Sequence, residues 1–343
     1  MTAPPAVALA VLALTFAGVI YQFVGLARDR RRFPPPGQLV DVGGHRLHAV
    51  CRGHGAPTVV LDSAIAASSL SWANVQPAVA RFARVCAYDR AGLAWSDAPA
   101  AGRTFAGTVA ELHAWLTKLE CATPYVLVGH SFGVFVCLRY AALYPQHVAG
   151  LVLVDPPTEW MRMDQSHGRL LRGAMQLSGL GKLLARAGIV RISLALLTGG
   201  VPAAPRHFVK VFGPTASRTL ERLVGEVRKL PPELHPTVQA LWCQPKCFQA
   251  MADHFRMLPE ATAAVEAVRS LDDRPVVVIS SRDQTTAVTA SHHALAQLSS
   301  RGRVVVASKS GHWVPYDEPE LVVDAIRAIV ETVRHGEESE PTR

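Results

Sequence analysis

Apolar and polar residues follow two rhythms along this chain. Thr58–Asp62, Val85–Tyr88, Tyr125–Gly129, Leu151–Val154, Val276–Ile279 and Val304–Ala307 are short, mostly apolar runs with the length of strands buried on both faces. Between them, Phe105–Leu119, Phe132–Tyr144, Ala290–Leu298 and a segment from Glu318 to Val333 repeat apolar residues at helical spacing, with Thr104 placed to cap the first. Leu39–Val42 and Arg46–Cys51 flank Gly43-Gly44 and predict a hairpin. Strands alternating with helices predict a parallel sheet covered on both faces. The alternation stops after Asp155-Pro156-Pro157. Residues 158–268 hold helical stretches, Leu183–Leu197 and Ala216–Lys229 among them, with no clear strand. One helical insertion therefore interrupts an otherwise regular α/β domain.

The amino terminus breaks both rhythms. Met1–Ala27 carries no charged side chain, and residues 5–27 would make a helix ~34 Å long, against a bilayer core of ~30 Å. Tyr21 and Phe23 fall where an interfacial aromatic belt is expected, and Arg28, Arg30, Arg31 and Arg32 follow with only Asp29 against them. The segment reads as a single membrane anchor with the domain on the cytoplasmic side, by the positive-inside rule. A cleaved signal peptide is the rival reading: Gly25-Leu26-Ala27 has the small-x-small pattern, although a signal peptide wants its positive charge before the apolar run. Phe33-Pro34-Pro35-Pro36-Gly37 predicts a stiff spacer holding the domain off the membrane. The expected organisation is an anchor (1–27), a basic and proline-rich spacer (28–38), a first core segment (39–157), a helical cap (158–268), a second core segment (269–335) and a loose tail (336–343).

Composition changes this picture little. Of 343 residues 49% are hydrophobic, enough for a sizeable core and too many for a disordered chain. The net charge of +8 is partly the arginine cluster. No basic stripe is interleaved with aromatics, so no nucleic-acid partner is expected, and the cluster suits anionic lipid headgroups. Cysteines 51, 86, 121, 137, 243 and 247 are scattered and read as buried thiols rather than a disulfide framework. Cys243 and Cys247 could share a helical face, but nothing nearby completes a metal's ligand set.

The chemistry concentrates at Gly129-His130-Ser131-Phe132-Gly133, between an expected strand and an expected helix. Glycines on either side permit a sharp turn that exposes the serine hydroxyl, and the helix directs its first amides there. Serine needs a base and an orienting acid. His312, in Gly311-His312-Trp313 after the strand at 304–307, is the candidate base, and Asp283, just past the strand at 276–279, the candidate acid. Asp155, which also ends a strand, competes with Asp283. Asp272 and Asp273 precede their strand and belong to the opposite end of the sheet. His130 has its backbone role in the turn, and His292 and His293 fall on an expected surface helix.

These residues, with Tyr88-Asp89-Arg90-Ala91-Gly92-Leu93-Ala94-Trp95-Ser96-Asp97 and Gly311-His312-Trp313-Val314-Pro315, resemble the α/β-hydrolase superfamily over residues 39–155 and 270–335, in particular its capped esterase, lipase and aminopeptidase-like branch. The resemblance implies a mostly parallel, eight-stranded sheet flanked by helices, a helical cap over the active site, and a loop-bracing role for Asp89 and Arg90. It also implies an oxyanion hole made by the amides of Ile65 and Phe132. This chain departs from the pattern in that loop, where Asp62-Ser63-Ala64-Ile65-Ala66-Ala67 has alanines in place of glycines. A positive φ at Ala64 would cost ~1 kcal/mol.

The expected activity is hydrolysis of a carboxylic ester through Ser131, His312 and Asp283, with no metal or organic cofactor. A serine nucleophile disfavours the epoxide hydrolase and haloalkane dehalogenase reactions, which use a carboxylate there. Trp160, Met161, Met163, Met175, Trp242, Met251 and Met257 in the insertion suit an apolar or lipid-like acyl group, unless they simply pack the cap's own core. A proline-iminopeptidase-like enzyme would instead use Glu221, Glu226, Glu233 or Asp253 to hold an amino terminus. A non-catalytic, membrane-tethered binding protein is the reading outside enzymology.

Overall fold

A computed structural model describes residues 5–99, 102–158, 165–198, 227–282 and 284–339. Helix α1 (Pro5–Arg32) is followed by β1 (Gln38–Asp41), β2 (Arg46–Arg52), β3 (Thr58–Asp62), the short α2 (Gln76–Val79) and β4 (Val85–Tyr88). Next come α3 (Phe105–Lys118), β5 (Tyr125–His130), α4 (Phe132–Leu143) and β6 (Val148–Val154). The insertion contributes α5 (Gln165–Arg186), α6 (Ile189–Thr198), α7 (His235–Trp242) and α8 (Pro245–Glu266). The core resumes with β7 (Val276–Ser281), α9 (Thr286–Ala296), β8 (Gly302–Ala307), α10 (Val314–Asp317) and α11 (Pro319–Ser339).

The eight strands form one sheet in the order β1-β2-β4-β3-β5-β6-β7-β8, antiparallel at β1–β2 and β2–β4 and parallel elsewhere. Alternation along the strands builds a core on each face. Leu127, Leu151 and Leu153 point to the side filled by α3 and α4, where Leu112, Trp115 and Phe135 pack. Val126, Val128, Val152 and Val154 point to the other side, against Ile326, Ile329 and Val330 of α11. Both faces being covered is why these strands carry no polar alternation. Thr104 caps α3 as its position suggests, accepting from the Gly107 amide at 3.0 Å.

Two expectations change here. Leu183–Leu197 is not one helix: the chain turns at Gly188 (φ +76°), which ends α5 and starts α6. Most of Ala216–Lys229 lies outside the described residues. Cys51 and Cys86 are disulfide-bonded rather than free, because antiparallel pairing of β2 with β4 sets them directly opposite each other with Cα atoms 4.1 Å apart. That register is invisible from spacing alone. Cys121, Cys137, Cys243 and Cys247 are buried thiols, as read.

Helix α1 runs 28 residues, through the arginine cluster. Only 6% of its apolar stretch is buried. The chain that leaves it does not stand off: Trp95 Nε1 donates to the Phe33 carbonyl at 3.0 Å, so the start of the expected spacer lies against the core.

Candidate active site

The parallel strands end in line. Asp62 of β3 is opposite Gly129 of β5, His130 is opposite Val154 of β6, Val154 is opposite Ile279 of β7, and Ser281 is opposite Ala307 of β8. The loops carrying Ile65, Ser131, Asp155 and His312 therefore rise from one edge, where open α/β sheets form their clefts.

Ser131 occupies the turn between β5 and α4 with φ +53° and ψ −116°, a conformation that L-residues rarely adopt and that costs about 1–3 kcal/mol. The flanking glycines make it possible. A Cβ on Gly129 would lie 2.6 Å from the backbone of Gly133, and one on Gly133 would lie 2.5 Å from the Asp62 carbonyl. The second contact sets the start of α4 directly on the end of β3, which brings the Phe132 amide to the loop that carries Ile65.

The carboxylate beside His312 is Asp155. His312 Nδ1 lies 2.7 Å from Asp155 Oδ2, and Asp155 Oδ1 accepts from the Ser281 amide at 3.0 Å and from Gln284 Nε2 at 2.9 Å. Burial pushes the Asp155 carboxyl up, but the hydrogen bond and charge of His312 and the bonds from Ser281 outweigh it and hold the group below the ordinary carboxylate value. Asp283 lies outside the described residues. Among the described residues, the carboxylate that contacts His312 comes from the end of β6.

Ser131 is buried, and among the described residues its hydroxyl makes no hydrogen bond to His312. The two are linked through His130, whose ring lies 4.9 Å from that of His312 and whose Nε2 donates to the His312 carbonyl at 2.7 Å. Burial and the neighbouring His312 push His130 down to about 3, so it is neutral and acts as a clasp on the backbone of His312. His292 also departs from the sequence reading. It is fully buried, with Nδ1 2.9 Å from Ser280 Oγ and Nε2 2.9 Å from the Pro156 carbonyl. It joins β7 to the residue after Asp155 and so braces the carboxylate. No sequence signal separates His292 from a surface histidine, because α9 shows its inner face only once packed.

The expected oxyanion loop is held from beneath. Arg90 pairs with Asp62 and donates to the carbonyls of Ser63 at 2.6 Å and Ala64 at 2.5 Å, while Tyr88 donates to Asp62 at 2.8 Å. Asp89 accepts from the Ser69 amide at 2.7 Å and lies 2.9 Å from His48 Nδ1. Both residues brace loops. Burial pushes the Asp62 carboxyl up against the opposing pull of Arg90. The positive φ falls on Ala66 (+59°) and not on Ala64. The strain is therefore one residue past Ile65, so the amide expected to serve the oxyanion keeps ordinary geometry. Among the described residues neither the Ile65 nor the Phe132 amide donates to another protein group.

A cavity of about 170 Å³ adjoins this edge. Ile65 and Trp313 bring it to the loop after β3 and to the neighbour of His312, although Ser131 and His312 are not on its wall. Val190 and Leu194 of α6, Trp242, Phe248 and Met251 form the cap side, and no carboxylate lines it among the described residues. Met257 instead packs in the core. Of the carboxylates considered for an amino terminus, Asp253 is engaged by Gln249 and Arg256, Glu233 is exposed, and Glu221 and Glu226 lie outside the described residues, as do Trp160, Met161 and Met163. Among the described residues no cluster of His, Cys, Asp and Glu is placed to hold a metal ion.

Residues 57–179 match the family model described as alpha/beta hydrolase fold. The chain is similar to a 1-acylglycerol-3-phosphate O-acyltransferase of Arabidopsis thaliana, at 32% identity over 31% of this chain and 29% of that protein. Among solved structures it is similar to a thermophilic esterase from Thermogutta terrifontis (TM-score 0.61, 19% identity, 84% of this chain and 94% of that one). It is similar also to a haloalkane dehalogenase variant from Bradyrhizobium elkanii (TM-score 0.64, 20% identity, 88% and 98%). The matched regions span 19%, 42% and 45% of the length of the first three curated relatives.

Proposed function

On the α/β-hydrolase fold that this chain has, we propose that it is a membrane-anchored serine hydrolase cleaving an ester with an apolar acyl chain. The observation that carries this reading is the His312–Asp155 pair at the strand edge from which the Ser131 turn rises. Ser131 attacks the ester carbonyl as His312 Nε2 takes its proton, and Asp155 fixes the imidazole with Nδ1 protonated. The amides of Ile65 and Phe132 hold the oxyanion. His312 returns the proton to the leaving alcohol, and a water activated by the same base releases the acid. In unliganded enzymes the nucleophile–base hydrogen bond is often loose and tightens on substrate, which suits the open Ser131–His312 pair.

The apolar acyl assignment rests on the cavity, whose described wall carries no acid to hold an amino terminus. A partial relative named for acyl transfer on an acylglycerol phosphate supports it. Across a series of aryl esters from acetate to palmitate, kcat/KM should climb at least tenfold with chain length, at ~0.8 kcal/mol for each methylene buried. A profile that is flat or falls beyond butyrate would remove the apolar-chain assignment.

The arginine cluster supports a domain on the cytoplasmic side, where disulfides are rare. The Cys51–Cys86 disulfide of the structure favours the opposite side, and membranes collected under rapid alkylation decide between the two: a cytoplasmic domain yields both cysteines as free thiols. Recovery of the pair in oxidised form would move the domain to the opposite face.

A further inference from the structure

Helix α1 carries one face unlike the rest. Leu9, Leu12, Leu14, Phe16 and Phe23 are exposed, as on a helix meant for lipid. Gly18, Gln22, Gly25 and Asp29 form a separate stripe, spaced at helical turns, and this stripe meets the cap. A Cβ on Gly18 would lie 2.2 Å from the Ala187 carbonyl, and one on Gly188 would lie 2.4 Å from the Gly18 carbonyl, so the two backbones touch at the turn between α5 and α6. Arg191 reaches from α6 past Gly25 to Gln22 Oε1 at 3.0 Å and pairs with Asp29 at 2.7 Å. Gln22, only 3% exposed, donates in turn to the Cys243 carbonyl at 2.7 Å. Removing the helix would uncover Arg191 and the Cys243 carbonyl and take away their partners Asp29 and Gln22. The cap is built around the presence of α1.

Depth follows from helix geometry. Gly18 precedes Arg28 by ten residues, or about 15 Å along the axis. With the arginines at the headgroups, the α5–α6 turn touching Gly18 lies within the hydrocarbon. Leu180 and Leu183 are exposed on α5, the charge on Arg191 is neutralised within the seam, and the exposed Arg186 before the turn lies with Lys182 and Asp253 along a polar cleft between these helices and the core. Helix α6 has two working faces. Arg191 binds α1, while Val190 and Leu194 line the cavity, so one helix separates the seam from the acyl pocket.

We infer that α1 is retained and that the α5–α6 turn of the cap is embedded in the same leaflet, so that lipid acyl chains enter the cavity past α6. The occupant of this apolar face is a phospholipid leaflet, with anionic headgroups at the arginine cluster. Only the loading step rests on the acyl-hydrolase reading.

The test uses the full chain in phosphatidylcholine/phosphatidylglycerol vesicles with a bimane probe on Leu183→Cys and, as reference, on Arg301→Cys, which is exposed on the core. Lipids brominated at mid-chain should quench the Leu183→Cys probe at least twofold and spare the reference. Equal quenching of both probes by aqueous iodide, or a mature chain beginning after Ala27, would overturn the insertion. Gly18→Leu and Arg191→Ala should each raise KM at least fivefold for a long-chain ester presented in vesicles, and leave kcat/KM for a soluble acetate ester unchanged. Equal effects on both esters would overturn the loading route. Absence of turnover with either ester while the quenching pattern persists would sink the hydrolase reading and leave the insertion standing.

Discussion

Ser131→Ala is expected to abolish labelling by a fluorophosphonate probe and to lower kcat on a short aryl ester by roughly 10⁵-fold or more. The size follows from the roles being one unit. Without the hydroxyl there is no atom for His312 to activate, and only the oxyanion amides and substrate binding remain, which are worth roughly 10³–10⁴ over water. His312→Ala should cost about as much, and the double variant little more than either. The substitution is a clean probe because alanine meets the same backbone demand at φ +53° that serine already meets. Labelling of the alanine variant, or turnover within tenfold of wild type, would remove Ser131 as the nucleophile.

Asp155→Asn should lower kcat by about 10⁴-fold, while Asp283→Asn stays within about tenfold of wild type. The geometry explains why an amide cannot substitute. Both partners of Asp155 Oδ1, the Ser281 amide and Gln284 Nε2, are donors, so an asparagine must turn its oxygen toward them. Its NH₂ then faces His312 Nδ1, forces that nitrogen to accept, and leaves the proton on Nε2, where the base must be free. The carboxylate also carries a stability signature. Its pKa in the folded chain is below the ordinary value, so the unfolded chain binds the proton more readily. The stabilisation is fully present above the unfolded pKa of about 3.9 and is lost as pH falls through the lower folded value. The melting-temperature gap between wild type and Asp155→Asn should therefore narrow below about pH 4. A larger loss from Asp283→Asn than from Asp155→Asn would reverse the assignment.

What could be read in the sequence was whatever is encoded locally. Strand runs such as Tyr125–Gly129, the Thr104 cap and the glycine-flanked Ser131 depend on near neighbours, and each falls where periodicity and turn chemistry put it. The break in alternation after Asp155 was legible in the same way, since among the described residues only helices lie between β6 and β7. What escaped needs register or packing across the chain. Cys51 meets Cys86 only when β2 pairs with β4. His292 turns inward only because α9 lies on β7. The choice between two aspartates that both end strands depends on which loop reaches His312, and no spacing rule decides that. The missing glycines in the loop after β3 raised the question of a positive φ at Ala64, and it falls two residues on, at Ala66, since composition does not show which residue must bend.

Arg90 does more than brace a loop. The guanidinium that grips Asp62 and the Ser63 and Ala64 carbonyls also donates through Nε to His254 Nε2 at 2.9 Å, and His254 belongs to α8 in the roof. Burial and the adjacent Arg90 push His254 well below the usual histidine range, which keeps that nitrogen free to accept. The ring stacks edge-on to Phe132, 4.9 Å away. Lifting α8 would strand a buried cationic donor at a cost of about 1–3 kcal/mol. Displacing α6 breaks none of these bonds. The roof is therefore riveted to the core along one side and moored to the amino-terminal helix along the other.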